Sequence, residues 1–359
     1  MKIGLIGLSK SGKTSLFNLL TGQSVPTSSF GTARGEMHTG IARVPDERVD
    51  RLSALFKPRK TTYASFEVVD LAGIAKGERQ GLEAKEFRNA DALLHVVRAF
   101  PDATGAAPNP KGDIADVETE LILADLEVVE RRLERLEASL KKKRTDADAR
   151  EQAILLKVKP GLESETPIRA LDLSESEARA LRGFTFLSQK PVLHCLNLAE
   201  KEIDRGRTLV ESFGLAEVAK RAGTRIGWVS AVIEAEVAQL TGLEQAAFLA
   251  DLGLTEPAIK RVLRDCYALL GLISFFTVGE DEVRAWSVPR GTRAQDAAGA
   301  VHSDIARGFI RAEVVGYGEL VAAAGSMATV RERGQFKLEG KEYVVQDGEV
   351  CHFRFNVAK

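Results

Sequence analysis

Short apolar runs alternate with amphipathic stretches along the N-terminal part of the chain. Runs of strand length lie at residues 3–6, 63–70 and 94–100, and another follows at 192–196. The stretch after the first run has the spacing of a helix with an apolar face formed by Leu16, Phe17, Leu19 and Leu20. Buried strands alternating with helices are typical of an α/β domain with a parallel sheet.

A heptad pattern predicts a helical hairpin in the middle of the chain. Apolar residues step by three and four along Leu126, Val129, Leu133, Leu136 and Leu140. This spacing is typical of two helices packed along a seam, and residues 141–150 are the predicted tip. The second helix is expected to end at Lys159, before Pro160. Ser174 and Glu177 have the spacing of a capping box that opens the next helix.

The hairpin tip carries four consecutive cations at residues 141–144, KKKR. Two interpretations stay open. Such a run is commonly a solvated helix end, and it can also contact nucleic-acid phosphates.

The C-terminal part has a strand-rich pattern. Strands are predicted within residues 276–288, 309–315 and 342–355, with turns at Glu339-Gly340 and Asp347-Gly348.

Composition narrows the class of protein. The 359 residues carry 50 basic and 51 acidic side chains, so the balance argues against a wholly basic nucleic-acid binder but allows a local basic patch. Three widely spaced cysteines predict neither a disulfide framework nor a structural zinc site. No apolar run approaches the ~20 residues of a membrane span, so we expect a cytoplasmic protein without a membrane partner.

A phosphate-binding loop follows the first strand. Residues 7–14, GLSKSGKT, match G-x-x-x-x-G-K-[ST], in which the glycines turn backbone N–H groups toward phosphate oxygens. The lysine supplies charge to the phosphates and the threonine hydroxyl is placed for Mg²⁺. The predicted phosphate-binding residues are Ser9, Lys10, Ser11, Gly12, Lys13, Thr14 and Ser15, and Lys13 is also predicted to be catalytic.

A second motif, DLAG at residues 70–73, follows another predicted strand. Asp70 is expected to hold Mg²⁺ through water, and the Gly73 N–H is expected to respond to the γ-phosphate, which makes Gly73 a catalytic candidate. Thr32 is the expected Mg²⁺ ligand from the first switch, with Thr39 as the alternative. Ile74 stands where many GTPases have a water-orienting glutamine, so either hydrolysis is slow or another group positions the attacking water.

The base-reading loop departs from the guanine-specific pattern. Asn197 is followed by Leu198 and Glu200, where a guanine reader would have lysine and aspartate. The longer Glu200 side chain should overshoot the two guanine donors, while Leu198 is expected to keep an apolar cover over the base. We therefore predict that ATP binds at least as well as GTP. Ser230, Ala231 and Val232 are the predicted second base-side segment.

Several longer strings resemble the YchF family of Obg-like ATPases over essentially the whole chain. They are DLAGIAKGERQGLEAKEF, ADALLHVVRAF, NLAE, SAVIEAEVAQL, VRAWSVPRGT, HSDIARGFIRAEVV and VQDGEVCHFRFNV. The resemblance implies a Ras-like P-loop NTPase domain at 1–115 and 185–273, with an inserted antiparallel helical hairpin at 116–184. It also implies a C-terminal α+β, ubiquitin-like TGS domain at 274–359, a preference for ATP, and association with ribosomes.

The cradle departs from the family pattern. Ser9, Lys10 and Ser11 replace the proline, asparagine and valine typical of the family, and the loop at 101–113 lacks the family's histidine. The ammonium of Lys10 could take the place of a potassium ion beside the phosphates, or it could point into solvent.

Together these features predict a slow ATPase that acts as a nucleotide-dependent switch on the ribosome or another RNA-containing assembly. The alternatives are a GTP-preferring enzyme of the Obg type and a regulatory module with negligible hydrolysis. The sequence leaves the oligomeric state open.

Overall fold

A computed structural model describes residues 1–26, 37–71, 88–142 and 145–356. The chain divides into two compact units. Unit 1 comprises Met1–Ala42 and Glu67–Leu269, and unit 2 comprises Arg43–Phe66 and Leu270–Lys359.

The strands of the described residues are β1 (Lys2–Ile6), β2 (Met37–Arg43), β3 (Lys60–Thr62), β4 (Ser65–Leu71), β5 (Ala92–Ala99), β6 (Val192–Leu198), β7 (Thr224–Val229), β8 (Leu272–Thr277), β9 (Glu282–Pro289), β10 (Phe309–Gly316), β11 (Lys337–Glu339) and β12 (Glu349–Phe355). The α-helices are α1 (Lys13–Thr21), α2 (Glu47–Phe56), α3 (Pro110–Lys142), α4 (Asp146–Glu163), α5 (Glu175–Ala180), α6 (Gly206–Ser212), α7 (Ala216–Ala219), α8 (Ala231–Val237), α9 (Gly242–Asp251), α10 (Ala258–Leu269), α11 (Ala294–Val301), α12 (Ser303–Arg307), α13 (Tyr317–Ala322) and α14 (Met327–Glu332). Short 3-10 helices lie at Ile168–Ala170, Leu181–Phe184 and Glu200–Arg205.

Unit 1 is built on a sheet with the strand order β2-β4-β1-β5-β6-β7. β1 pairs in parallel with β4 and β5, and β6 pairs in parallel with β5 and β7. This arrangement confirms the predicted α/β fold. Carboxyl ends of parallel strands meet at one edge of a sheet, so the loop after β1, Asp70 in β4 and the end of β6 lie along the same edge.

The predicted hairpin consists of α3 and α4. Val129, Leu133 and Leu136 of α3 are buried in one cluster with Leu155 and Leu162 of α4. The predicted end at residue 159 is wrong, because α4 continues through the following proline to residue 163. A proline inside a helix removes one hydrogen bond, and burial of Leu162 in the seam offsets that cost.

The hairpin is anchored to the sheet by buried charges on α3. Asp125 accepts hydrogen bonds from the N–H groups of Leu187 and Ser188, at 2.9 and 2.6 Å, just before β6. Glu118 forms an ion pair with Arg169, whose side chain is 3% exposed. These contacts fix the position of α3 on the sheet, because breaking either of them would leave a buried charge without a partner and without water.

The capping box predicted from the sequence is confirmed at the start of α5. The Ser174 hydroxyl accepts from the Glu177 N–H, and the Glu177 carboxylate accepts from the Ser174 N–H.

Unit 2 contains a mixed sheet with the order β11-β10-β12-β8-β9-β3. β8 pairs in parallel with β12 and antiparallel with β9, while β10 is antiparallel to β12. Three alanines of α11, Ala294, Ala297 and Ala298, pack into the core on one face of this sheet. Their small side chains let the helix approach the sheet closely. A helix crossing a mixed sheet with parallel central strands is the ubiquitin-like arrangement that was expected.

Residues 43–66 belong to unit 2, whereas the family resemblance implies that they are part of the nucleotide-binding domain. β3 pairs in parallel with β9, and α2 buries Val49 and Leu52 completely. Arg48 of α2 donates to Asp347 at 2.7 Å and lies over the Phe276 ring, 5.0 Å from its centroid. These partners are remote in sequence, so local patterns did not indicate them. The other predicted boundaries stay predictions.

No helix within the described ranges is both long enough and apolar enough to cross a membrane.

Candidate nucleotide-binding site

Two glycines give the loop after β1 its curved shape. Gly7 has φ 152° and Gly12 has φ 96°, both in the region that favours glycine. A Cβ atom on Gly7 would lie 2.4 Å from the Val96 carbonyl oxygen, and one on Gly12 would lie 2.3 Å from Asn197 Nδ2. Other residues are therefore excluded by the neighbouring strands as well as by the backbone.

The variable positions of the loop differ in exposure. Ser9 and Lys10 are exposed, and Lys10 has a left-handed backbone with φ 63°. For a residue with a Cβ this conformation costs roughly 1–2 kcal/mol. Ser11 is buried, and its hydroxyl has no hydrogen-bond partner among the described residues. The family's asparagine tolerates this backbone better than lysine does.

Lys13 begins α1 and is nearly buried, at 8% exposure. Its ammonium donates to the carbonyl oxygens of Gly7 and Leu8, at 3.1 and 3.3 Å. Burial lowers the pKa of Lys13, and the negative charge of Asp70 opposes that effect. The loop thus holds the desolvated ammonium of Lys13 beside its backbone N–H groups, where the ammonium would contact a bound phosphate.

The two expected Mg²⁺ ligands that lie in the described residues are adjacent. Thr14 donates its hydroxyl to Asp70 Oδ2 at 3.3 Å. Asp70 is 3% exposed, and its Oδ1 has no hydrogen-bond partner within the described part of the chain. Burial raises the pKa of Asp70, while Lys13, Thr14 and His38 oppose that shift. A hydroxyl beside a carboxylate with an orphaned oxygen is a donor set that fits Mg²⁺.

The remaining predicted residues of this side divide into two groups. Thr32, Gly73 and Ile74 lie outside the described residues. Thr39 lies in β2 with an exposed side chain, and its carbonyl oxygen accepts from Gln23. Ser15 lies in the first turn of α1, next to Thr14, and is half-buried.

Asn197 connects the phosphate loop to the base side. Its Nδ2 donates to the Ser11 carbonyl oxygen at 3.0 Å, and its Oδ1 accepts from the Ala231 N–H at 3.0 Å. An amide group has two donors and two acceptor lone pairs, so each end retains one further bonding position. Asn197 therefore orients the loop and the base-side segment and still has capacity for a ligand.

The structure corrects the role expected for Leu198. This residue is still within β6, and its side chain packs into the core with Leu196 and Ile203 at 2% exposure. It cannot cover a base. Val232 is the exposed apolar residue of the base-side segment, at 52%.

The other base-side candidates are placed as follows. Glu200 begins a 3-10 helix and is exposed, so its carboxylate is free of the core. Ser230 is fully buried before α8, and its hydroxyl has no partner among the residues described.

Sequence reasoning missed two residues that hold the base-side segment. Glu234 of α8 accepts from the first N–H groups of α10, at Ala258 and Ile259, at 2.8 and 3.1 Å. Arg261 of α10 donates to the Trp228 carbonyl oxygen at 3.0 Å. The available signal was an acidic residue on the otherwise apolar face of α8.

Sequence comparisons place these features in a family. The chain is 41% identical to "Ribosome-binding ATPase YchF" of Bacillus subtilis over 363 residues, which is 99% of each chain. The chain belongs to the YchF family. This YchF-family chain is also 38% identical to the ribosome-binding ATPase of Escherichia coli O157:H7 over 99% of each chain. It is 34% identical to "Obg-like ATPase 1" of rice, covering 100% of this chain and 93% of that relative.

Domain and structure comparisons agree with this assignment to the YchF family. A family model described as "50S ribosome-binding GTPase" matches residues 2–143, and the YchF-GTPase C-terminal model, described as "Protein of unknown function (DUF933)", matches residues 272–356. The Schizosaccharomyces pombe YchF GTPase structure superposes with a TM-score of 0.82 at 27% identity, covering 99% of this chain and 97% of that one. The family resemblance and the fold class expected from the sequence are thereby confirmed.

Proposed function

We propose that this protein is a slow P-loop ATPase that acts as a nucleotide-dependent switch on the ribosome. The observation that carries the proposal is the grouping of Lys13, Thr14 and Asp70 beside a glycine-shaped loop. Relatives named ribosome-binding ATPases support both the reaction and the partner.

The cradle would bind the triphosphate through backbone N–H groups and the ammonium of Lys13. Thr14 would contribute a hydroxyl ligand to Mg²⁺, and Asp70 would act through its free oxygen. When bound, the ion neutralises charge on the phosphate oxygens. Burial of Lys13 and Asp70 strengthens their electrostatic effect, because little water remains to screen it.

Slow turnover follows from the groups that the sequence lacks. Ile74 cannot orient a water molecule, and the loop at 101–113 contains no histidine. Unassisted switch proteins of this class turn over at about 10⁻⁴ to 10⁻² per second, and we propose that range here. If ribosomes change the rate of ATP turnover, the protein acts as a switch; a metabolic ATPase would turn over rapidly without a partner.

Adenine is the proposed base. Glu200 has one methylene more than the aspartate that bonds two guanine donors, so its carboxylate is poorly placed for that pair. Asn197 retains one donor and one acceptor after bonding Ser11 and Ala231, which suits the mixed donor–acceptor edge of adenine. Loss of a paired guanine contact costs at least about 1–3 kcal/mol, so GTP loses its usual advantage.

The first test is calorimetric titration of the full chain with ATP and with GTP in the presence of Mg²⁺, followed by turnover with and without ribosomes. ATP should bind at least as tightly as GTP, and Lys13→Ala should abolish binding or turnover. A preference for GTP of about tenfold or more would contradict the base assignment. Turnover of several per second without ribosomes would contradict the switch.

Glu200→Asp is the sharper test of the base. Because Glu200 is exposed, the shorter acid should fold normally and shift binding toward GTP. A lysine at position 198 would be a poor test, because that side chain lies in the core.

A GTP-preferring enzyme is the second candidate. It is favoured by the family model described as a 50S ribosome-binding GTPase. The same titration separates the two candidates.

A further inference from the structure

One half of the unit 2 sheet presents an exposed basic surface on the side opposite α11. Ala312 of β10 and Phe353 of β12 pack into the core on the α11 side. Side chains alternate along a strand, so Arg311 and Arg354, the next residues along, point to the opposite side. Both arginines are exposed. We call this surface, with Glu313, Arg331, Phe336, Leu338 and His352, the arginine face.

The two strand arginines form an unfavourable pair. Arg311 lies directly opposite Arg354 in the register of β10 and β12. Like charges in this position destabilise a sheet. Arg311 has no ion-pair partner among the described residues, and the side chain of Arg354 is 56% exposed. Glu313 offsets the charge of Arg354, so within the described residues the charge of Arg311 is left uncompensated, and it is exposed to a ligand of opposite charge.

The carboxylate at the centre of this surface is Glu313, with a side chain only 6% exposed. It forms an ion pair with Arg354, and lies 3.1 Å from His352 Nδ1 and 4.0 Å from Arg331. One carboxylate thus lies beside two arginines and one histidine. Three arginines against one glutamate leave an excess of two positive charges.

One aromatic ring and one aliphatic side chain accompany the charges. The guanidinium of Arg331 lies 4.6 Å from the centroid of the Phe336 ring. Leu338 pairs with Glu313 across β10 and β11, so it faces the same side, and it is 49% exposed. Cations combined with planar stacking groups are typical of surfaces that bind nucleic acid in a sequence-tolerant way.

We propose that the arginine face binds the phosphate backbone of RNA. The inference rests on the proposed ribosomal function and names the surface of this chain that would make the contact. An acidic peptide would match the charge, but it would provide no base to stack on the Arg331–Phe336 pair. RNA uses both the excess charge and the Arg331–Phe336 pair.

The test uses the full-length chain with Arg311→Gln, Arg331→Gln and the double variant. Arg290→Gln is the matched control, because Arg290 is exposed in the turn after β9, two strands away from β12 in the sheet. Binding to a labelled 16-nucleotide poly-uridine RNA is measured between 50 and 200 mM KCl, and co-sedimentation is measured with purified ribosomes.

Each arginine variant should weaken RNA binding by about threefold to tenfold and reduce the salt slope by about 0.7. Arg290→Gln should match the wild type. Thermal unfolding checks the fold, and Arg311→Gln should have an unchanged or higher Tm because it removes the like-charge pair.

The outcomes separate this inference from the proposed function. If the wild type sediments with ribosomes and the double variant has unchanged affinity and salt slope for both probes, the arginine face is wrong and the ribosomal function stands. If the variants lose binding to a poly-glutamate peptide but not to RNA, the face binds protein, and the inference is overturned. If the wild type does not sediment with ribosomes but binds poly-uridine through these arginines, the ribosomal function fails and the RNA surface stands.

Discussion

Lowering the pH from 7 to 5 is predicted to destabilise unit 1 through a buried pair of histidines. His95 of β5 and His194 of β6 are each 1% exposed, and their Nδ1 atoms lie 3.0 Å apart. One neutral ring must donate to the other, so protonating both rings would break this contact. Burial, with Arg169 and Arg221, lowers the pKa of His194 to about 3. Burial and His194 lower the pKa of His95 as well.

Glu118 does not reverse this effect. Its carboxylate lies 3.7 Å from His194 Nε2 and would by itself favour the protonated ring. However, Glu118 is already paired with Arg169, whose positive charge acts in the opposite sense. We therefore expect the ring to remain neutral in the folded protein at pH 5.

The sign and the size follow from linkage. The unfolded chain protonates His194 below its ordinary pKa of 6.5, while the folded chain does so only near 3. The stability contributed by the neutral ring is therefore present above pH 6.5 and is lost as the pH falls toward 3. The loss is about 1.4 kcal/mol per pH unit, or about 2 kcal/mol at pH 5. Since pH 5 lies well above the folded value, this result depends mainly on the unfolded pKa.

The assay uses the two tryptophans, one in each unit. Trp286→Phe leaves Trp228 in β7 as the fluorescent reporter of unit 1. Urea unfolding at pH 7 and pH 5 compares this background with the same protein carrying His194→Gln, which can accept a hydrogen bond but does not titrate. His302→Gln is the control, because that histidine is exposed.

Between pH 7 and pH 5, the free energy of unfolding of the background and of the His302→Gln control should fall by about 2 kcal/mol more than that of the His194→Gln protein. Titrating groups remote from the pair are common to the background and the His194→Gln protein, so their contributions cancel, and His95 stays buried in both. Equal losses in all three, with unchanged m-values, would refute the buried neutral pair.

Three further predictions concern the site and the units. Gly12→Ala should reduce nucleotide affinity by at least about tenfold in calorimetry, because the added Cβ would lie 2.3 Å from Asn197 Nδ2. Gly22→Ala is the control and should retain binding, because Gly22 also has a positive φ but no atom lies within 4 Å of the added Cβ. Turnover of the wild type should be equal in potassium and sodium salts if the ammonium of Lys10 serves as a tethered cation, and Lys10→Asn should introduce potassium dependence; strong potassium activation of the wild type would exclude this role. Deleting residues 270–359 should leave residues 43–66 without their packing partners and should increase the binding of a hydrophobic dye. If the truncated protein binds no dye and unfolds with an unchanged m-value per residue, residues 43–66 fold without the C-terminal segment.

Local chemistry explains which features could be predicted from the sequence. The phosphate loop depends on glycines and a lysine within eight residues, and the hairpin seam depends on a repeat that can be counted along one helix. The capping box is a contact between residues three apart. In each case the residues that interact are near one another in the chain, so the pattern alone indicates the contact.

The base side of the site was only partly predictable. The departure from a guanine-reading pattern at residues 198 and 200 is visible in the sequence. The direction of each side chain is decided by its place in β6, which buries Leu198 and leaves Glu200 exposed in the following 3-10 helix. A motif gives the order of these residues but does not give the point at which the strand ends.

By itself the sequence determined the α/β class, the phosphate cradle, the hairpin and the family, because short-range spacing and the order of elements carry that information. Only the tertiary structure showed that residues 43–66 pack with the C-terminal unit, that two histidines meet across neighbouring strands, and that the arginines of β10 and β12 lie opposite each other. The bond between Arg48 and Asp347 joins residues 299 positions apart. Such contacts depend on how strands from distant parts of the chain pair and pack, and no local pattern of polar and apolar residues specifies that arrangement.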